Sequence, residues 1–458
     1  MMVSDRQIAK DELPLLDNDR RQMRRIAAAG FTGTVIEYFD LQVYSIAAAI
    51  VFAHLFFPQL GKAAGTVAAF GTIGVVFVAR PLGSLIFGHF GDRIGRKHTL
   101  VISLVMMGLS TVLVGLLPTS AQIGVAAPIL LVLLRVIQGI AAGGEFAGAA
   151  LLISENAPPG RRGFWSSMPS VGGAVAISSG ALAFTVTSMT MSADAFRTWG
   201  WRLPFLASTV LLVVGLYIRM KMEETPVFAK QVSQHGVSRV PIADAFRTQP
   251  LDILLGCMVS VPAFSMLYLV MTYVVNFGAN NLHLGYTAVT VVSVVSGLIM
   301  IVGVLAGSSL SDLIGRRPTL IAGNGFAALW SLALFPTLHH GSMTSYSLTI
   351  LVTMLVAGFV FGPVGAFMSE LFDTRYRYTA IGVCYNAAGI VGGALPPLFA
   401  GPVIASYGAF AFGKAMGALC LVSLVCTACI RETRHRKLDV DGGVPQAPAV
   451  AHRTISNS

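Results

Sequence analysis

The chain has 458 residues, of which 55% are hydrophobic and only 11% charged, with a formal net charge of +10. Soluble domains carry roughly a quarter charged residues, so this composition excludes an ordinary soluble enzyme. The basic excess lies between long apolar runs rather than on a polar domain, which argues against nucleic-acid binding.

In chain order, residues 1–24 are polar with both signs of charge and read as a loose cytoplasmic tail, without the apolar core and cleavage site of a secretory signal. Apolar runs of membrane-crossing length then recur to the end; about twenty residues cross a hydrocarbon core of about 30 Å. The first six spans are predicted near 25–53, in the run before Gly91, up to Pro118, at 128–154, up to Met191 and at 203–219. Residues 220–250 carry charges, prolines and no long apolar run, and read as a linker. Six more spans follow near 251–277, 287–310, 318–337, 346–369, 379–404 and 412–430, and 431–458 form a polar tail. The prediction is an all-α membrane protein of twelve helices in two pseudo-symmetric bundles, residues 25–219 and 251–430. Lysine and arginine favour cytoplasmic loops. With both termini cytoplasmic, 25 of the 31 fall on that side.

The two halves repeat. GHFGDRIGRKHTL, from Gly88 to Leu100, returns 220 positions later as SSLSDLIGRRPTL, with Asp92/Asp312, Gly95/Gly315 and Arg96/Arg316 coinciding. Ser154-Glu155 and Ser369-Glu370 echo at an offset of 215, each closing an apolar run just before arginines. A period of half the chain reports a duplicated unit. Glu155 and Glu370 are expected at inner helix ends. The five cysteines all lie in apolar runs, so neither a disulfide framework nor a metal site is expected, and Cys426 and Cys429 read as packing residues.

A charge at a span centre is costly and is a functional hypothesis by default. Glu37, Asp40 and Tyr44 share one helical face. At 1.5 Å per residue Asp40 lies about 22 Å into the bilayer, and Arg135 on span four lies at a similar depth. A pair of Arg135 with either Asp40 or Glu37 is therefore expected, as a functional site or as a helix-locking ion pair. Gln138 is one turn from Arg135. Glu145, in GGEFAG, fits either a bond within the bundle or a function. Arg80 and Lys414 read as side chains reaching an interface. In the second half Tyr268, Tyr273, Asn276, Tyr385 and Asn386 offer aromatic and amide groups suited to an organic ligand.

The Gly-x-x-x-Asp-Arg-x-Gly-Arg-Lys turn (Gly88, Asp92, Arg93, Gly95, Arg96, Lys97), the twelve spans and the linker resemble the major facilitator superfamily. IEYFDLQVY (36–44), LFFP (55–58), RVIQGIAAGGEF (135–146), WGWRLPF (199–205) and MEETPVF (222–228) resemble its metabolite:proton symporter family, with the shikimate branch nearest. That family commonly reads Trp-Tyr-Asp-Phe where this chain has Tyr38-Phe39-Asp40-Leu41, and Trp where Phe146 stands. The resemblance implies two bundles rocking about a midplane site. It implies proton coupling at Asp40 and Glu37, substrate binding at Arg135, Tyr44, Gln138 and the second-half residues, and a switch built from the turns, with Asp92 and Asp312 meeting helix ends and arginines such as Arg162 and Arg375.

The expected function is import of a small carboxylated metabolite with protons across a bacterial-type inner membrane. No cofactor beyond the proton gradient, no metal and no nucleic-acid partner are expected, and the protein is expected to be monomeric. Import of zwitterionic osmolytes such as proline or betaine, and export of metabolites or drugs, are the alternatives. A membrane enzyme would need a catalytic motif such as HExxH or a nucleotide loop, and neither occurs.

Overall fold

A computed structural model describes residues 5–94, 96–221, 241–339, 341–374, 376–434, 436 and 438; side chains are described throughout except at 5–20, 62–63, 91–97, 159, 193, 241–244, 280, 286 and 339. Among the described residues twelve helices are long and apolar enough to cross a membrane. They run Arg21–Phe56, Ala64–Phe90, His98–Leu116, Ala126–Asn156, Arg162–Thr190 and Gly200–Met220 in the first half. In the second half they run Pro250–Ala279, Thr287–Ile314, Arg316–Leu338, Met343–Leu371, Arg377–Tyr407 and Ala409–Cys429. These are spans one to twelve. Leu82, Ile86, Leu109, Leu133, Val302 and Leu329 stand exposed on their outer faces, as a surface meeting lipid rather than water requires.

One expectation is corrected here. The first helix begins at Asp5 and runs to Ala47, so residues 5–24 continue span one instead of forming a loose tail. Their Lys, Glu, Gln, Arg and Leu residues are strong helix formers, and polarity alone does not argue against a helix outside the apolar layer. The linker likewise contains a short helix, Pro241–Thr248.

The repeat seen in the sequence is a repeat of helix crossings. A Cβ placed on Gly83 would stand 1.9 Å from the carbonyl oxygen of Ile140, and one on Gly303 would stand 2.3 Å from that of Leu355. Gly143 against the Arg80 carbonyl and Gly358 against the Met300 carbonyl repeat the relation one turn on, at 2.1 and 2.3 Å. Spans two and four thus cross as spans eight and ten do, backbone on backbone, as small residues permit between membrane helices. The halves meet where span eight packs on span five and span eleven on span two.

Span four is not continuous. Its helix stops at Ala142, turns through Gly143-Gly144 and resumes at Glu145. Spans one, seven and eleven each widen into a π-helical turn, at Ala48–Phe52, Leu269–Val274 and Gly389–Ala394, a distortion that is frequent at functional sites. At the end opposite the repeated turns, LFFP and WGWRLPF come together. Trp201 meets Phe52 and Phe56 edge-on with ring centroids 5.5 and 6.1 Å apart, a packing role within the first half.

Candidate functional site

Span one carries its two acidic residues one turn apart, and each finds a different arginine. Asp40 pairs with Arg135 Nη1 at 3.1 Å, while Glu37 Oε1 pairs with Arg80 Nη2 at 2.7 Å. Relative exposures of 2, 3, 1 and 0% for Glu37, Asp40, Arg80 and Arg135 close both pairs to bulk solvent. Arg80, read from the sequence as reaching an interface, is instead fully internal. Its place on span two alone does not reveal that its helix face turns towards Glu37. Lys414 is exposed, as expected, over the Phe410 ring.

The Asp40 cluster belongs wholly to the first half. The carboxylate accepts from Thr111 Oγ1 and Gln138 Nε2, each at 2.9 Å, and Arg135 Nη1 also donates to Gln138 Oε1 at 2.7 Å. The guanidinium lies 3.7 Å over the Tyr44 ring, and the Tyr44 hydroxyl shares a 2.5 Å hydrogen bond with Thr72. A buried carboxylate is tolerable only with such donors. Glu145 pairs with Arg219 and accepts from Ser103, which gives it a bond within the bundle. Gly33 of span one makes room for that pair.

The Glu37–Arg80 pair lies beside the boundary between halves. Tyr38, next to Glu37, shares a 3.2 Å hydrogen bond with the Tyr385 hydroxyl of span eleven. Phe77, three residues before Arg80, meets Tyr268 of span seven edge-on at 4.8 Å. Phe146 and Tyr385 stack face to face with centroids 3.6 Å apart. Between the halves a cavity of about 10 Å³ is lined by Tyr38, Phe146, Met300, Phe361 and Tyr385, room for about one water. The second-half candidates divide. Tyr268 and Tyr385 reach this boundary, whereas Tyr273 packs on Phe277 and Phe335 within its own half. Asn276 is half-buried in the second half. Asn386 donates to the Gly143 and Gly382 carbonyls, both at 2.8 Å, and Tyr378 donates to the Gly144 carbonyl at 2.7 Å. At the break in span four Asn386 of the other half takes the Gly143 carbonyl, and Tyr378 joins the Gly148 N–H on the Gly144 carbonyl.

At the turn end the halves are tied more densely. Asp312 accepts from the backbone N–H of Gly163 and Phe164 at 2.8 and 2.9 Å and from Arg316 at 2.6 Å. A carboxylate at the start of span five meets the positive end of a helix dipole. Glu370 receives Arg316 and, across the halves, Arg162, each at 3.2 Å. Glu155 receives Arg377 at 3.6 Å. Both glutamates lie at helix ends on the side of the repeated turns, and the offset of 215 carries Arg162 onto Arg377. Applied to the arginine as well as to the glutamate, that offset singles out Arg377. Gly315, at φ +112°, takes a backbone conformation that suits glycine, and Gly88 lets Thr379 of the other half approach. Gly95 and Arg375, and the side chains of Asp92, Arg93, Arg96 and Lys97, lie outside the described residues.

A strap of the C-terminal segment, which no motif announces, completes this lattice. Glu432 accepts from the N–H groups of Arg316, Arg317, Thr433 and Arg434. Burial opposes its ionisation, but these four donors outweigh it and hold the carboxyl below its usual range. Arg436 donates to the Glu370 and Leu371 carbonyls and to Asp373.

Comparison with known proteins agrees with this architecture. The family model described as Major Facilitator Superfamily matches residues 30–397. An inner membrane metabolite transport protein of Escherichia coli (strain K12) is 37% identical over 419 residues, covering 90% of this chain and 95% of that protein. A shikimate transporter of the same organism is 35% identical over 416 residues, with the same coverage of 90% and 95%. A solved structure of a proton:xylose symporter bound to 6-bromo-6-deoxy-D-glucose superposes with a TM-score of 0.76 at 16% identity, covering 92% of this chain and 98% of that one.

Proposed function

This chain belongs to the Major Facilitator Superfamily, and from that premise we propose that it imports a small carboxylated metabolite together with protons. It is a multi-pass membrane transporter of small molecules rather than an enzyme. In the proposed orientation the turn end faces the cytoplasm. The observation that carries the reading is the pair of buried carboxylate–arginine contacts, Asp40–Arg135 and Glu37–Arg80, the second of them beside the boundary between the halves.

An anionic substrate that takes an arginine leaves a carboxylate without its cation. Neutrality is then kept by a proton on that carboxylate, so proton and substrate travel together. The lattice at the turn end holds that side shut. Opening it separates Asp312 from Gly163 and Phe164, Glu370 from Arg162 and Glu155 from Arg377, and it withdraws Asn386 and Tyr378 from span four. Alternation of the two closures about one midplane site is the physical requirement for coupled transport.

The test is uptake into proteoliposomes of labelled shikimate, dicarboxylates, citrate, aromatic acids, proline and betaine under an imposed inward proton gradient. Concentrative uptake of a carboxylate that collapses with a protonophore is the expected result. Uptake confined to proline or betaine, or uptake indifferent to the gradient, would overturn the reading.

A further inference from the structure

We propose that Arg80, rather than Arg135, is the cation that takes the substrate's carboxylate, and that the site accepts one carboxylate and discriminates against two. This rests on the carboxylate reading above and narrows it. The first observation is the geometry of the Glu37–Arg80 pair. Glu37 engages Arg80 through Oε1 and Nη2 alone, while Glu37 Oε2 and Arg80 Nε are buried without a hydrogen-bond partner. Nε and Nη2 form one edge of the guanidinium, the edge that receives a carboxylate two-pronged. The resident pair fills half of that edge. A free carboxylate, not tethered to span one, can fill all of it.

Location is the second observation. Arg135 also has its Nε and Nη2 without a partner, but it is held by Asp40, Gln138 and Tyr44, all on spans one and four and away from the other half. Arg80 instead lies 5.2 Å over the Phe77 ring, which meets Tyr268 of the other half, and its partner Glu37 adjoins Tyr38, which bonds Tyr385 of the other half; these are the groups that part when the halves open. Around Glu37 stand Arg80 on span two, Asp40 on its own helix and the Glu145–Arg219 pair on spans four and six.

The third observation is a count of cations. Spans seven to twelve hold Arg316 and Arg317 at the start of span nine, Arg377 at the start of span eleven and Lys414, with no lysine or arginine elsewhere. Arg316 and Arg377 are engaged by Glu370 and Glu155, Arg317 lies at the turn end, where Glu432 and the Ala428 carbonyl receive it, and Lys414 is exposed. In the first half Arg135 and Arg219 are engaged by Asp40 and Glu145, so one carboxylate has a partner at the boundary and a second has none. A monoanion on Arg80 with a proton on Glu37 restores the original charge, one proton per anion. A dianion leaves one buried charge uncompensated. The facing Phe146 and Tyr385 rings, with the hydroxyls of Tyr38 and Tyr385, suit a flat ring carrying hydroxyl groups.

Calorimetric binding to the purified full-length protein tests this with three matched probes: 3-hydroxybenzoate, 3-hydroxybenzamide and 5-hydroxyisophthalate. The monoacid is expected to bind at least about tenfold more tightly than the amide or the diacid. Arg80→Lys should reduce the preference for acid over amide, because a point charge cannot make the two-pronged contact. The double variant Glu37→Gln/Arg80→Met removes both charges together and leaves neither ion unpaired. It should keep the wild-type unfolding midpoint and bind acid and amide alike. A diacid that binds as tightly as the monoacid, an acid preference unchanged in both variants, or no binding of the monoacid overturns the proposal. Proton-driven uptake of a carboxylate alongside any of these results would leave the reading in the preceding subsection standing.

Discussion

The Ser154 hydroxyl donates to the Ser369 hydroxyl at 2.7 Å, and these serines are the same position in the two copies of the repeat. Their bond therefore lies at the pseudo-twofold axis at the turn end. Around it the partners exchange roles, Glu155 with Arg377 on one side and Glu370 with Arg162 on the other. A residue on such an axis parts from its counterpart whenever the halves separate there.

A reversible crosslink at this axis should stop transport. With the five native cysteines replaced, Ser154→Cys/Ser369→Cys oxidised to the disulfide should lose most transport, and reductant should restore it. The comparison is uptake before and after reduction in one liposome batch. Undiminished uptake by the fully crosslinked protein would show that this contact need not open.

Glu37→Gln leaves Arg80 buried without its counter-charge, and breaking such a pair typically costs about 3–5 kcal/mol. Concentrative uptake should disappear while some substrate exchange remains. Counterflow and gradient-driven uptake, measured side by side, separate the two. Equal loss of both would point to failed folding or binding instead of lost coupling.

Glu432 provides a pH dependence whose sign follows from its lowered folded-state pKa. Its stabilising contribution is present above the ordinary carboxylate range and is lost as pH falls through the lowered value. The unfolding midpoint of wild type should therefore exceed that of Glu432→Gln at neutral pH, and the two should converge in acid below that value. A gap that stays constant down to strong acid would remove Glu432 from the strap's energetics.

Gly83→Ala sets a methyl group against the Ile140 backbone, which cannot rotate away as a side chain can. Overpacking of this kind costs about 1–3 kcal/mol. A lower unfolding midpoint is expected, with Gly303→Ala behaving alike because Leu355 repeats the contact. An unaffected midpoint in both variants would mean that the crossings are looser than their geometry.

The twelve spans were legible because apolar length and the two offsets are properties of the chain itself. The Asp40–Arg135 pair was legible too, since depth can be counted along a helix. Arg80 was not, because depth does not say which way a helix face is turned, and Arg135 could be assigned to either Asp40 or Glu37. Asn386 read as a ligand group, yet it is engaged by the Gly143 carbonyl. That carbonyl is free only because span four breaks, and a run of glycines announces close packing as readily as a break. The strap at Glu432 and Arg436 joins positions 63 to 116 residues apart, beyond any local pattern.

The copied helix crossings and the uncopied charges have an engineering consequence. Both acid–arginine pairs of the midplane lie in spans one, two and four, whereas the facing second half offers Tyr268 and Tyr385 and no cation there. On the proton-symport proposal, the first half then handles the ion and the carboxylate while the second half contributes to the choice of ring, and the parts become exchangeable. A hybrid that joins the first six spans of this chain to the last six of a relative should run on the same ion while its choice among ring substituents follows the donor.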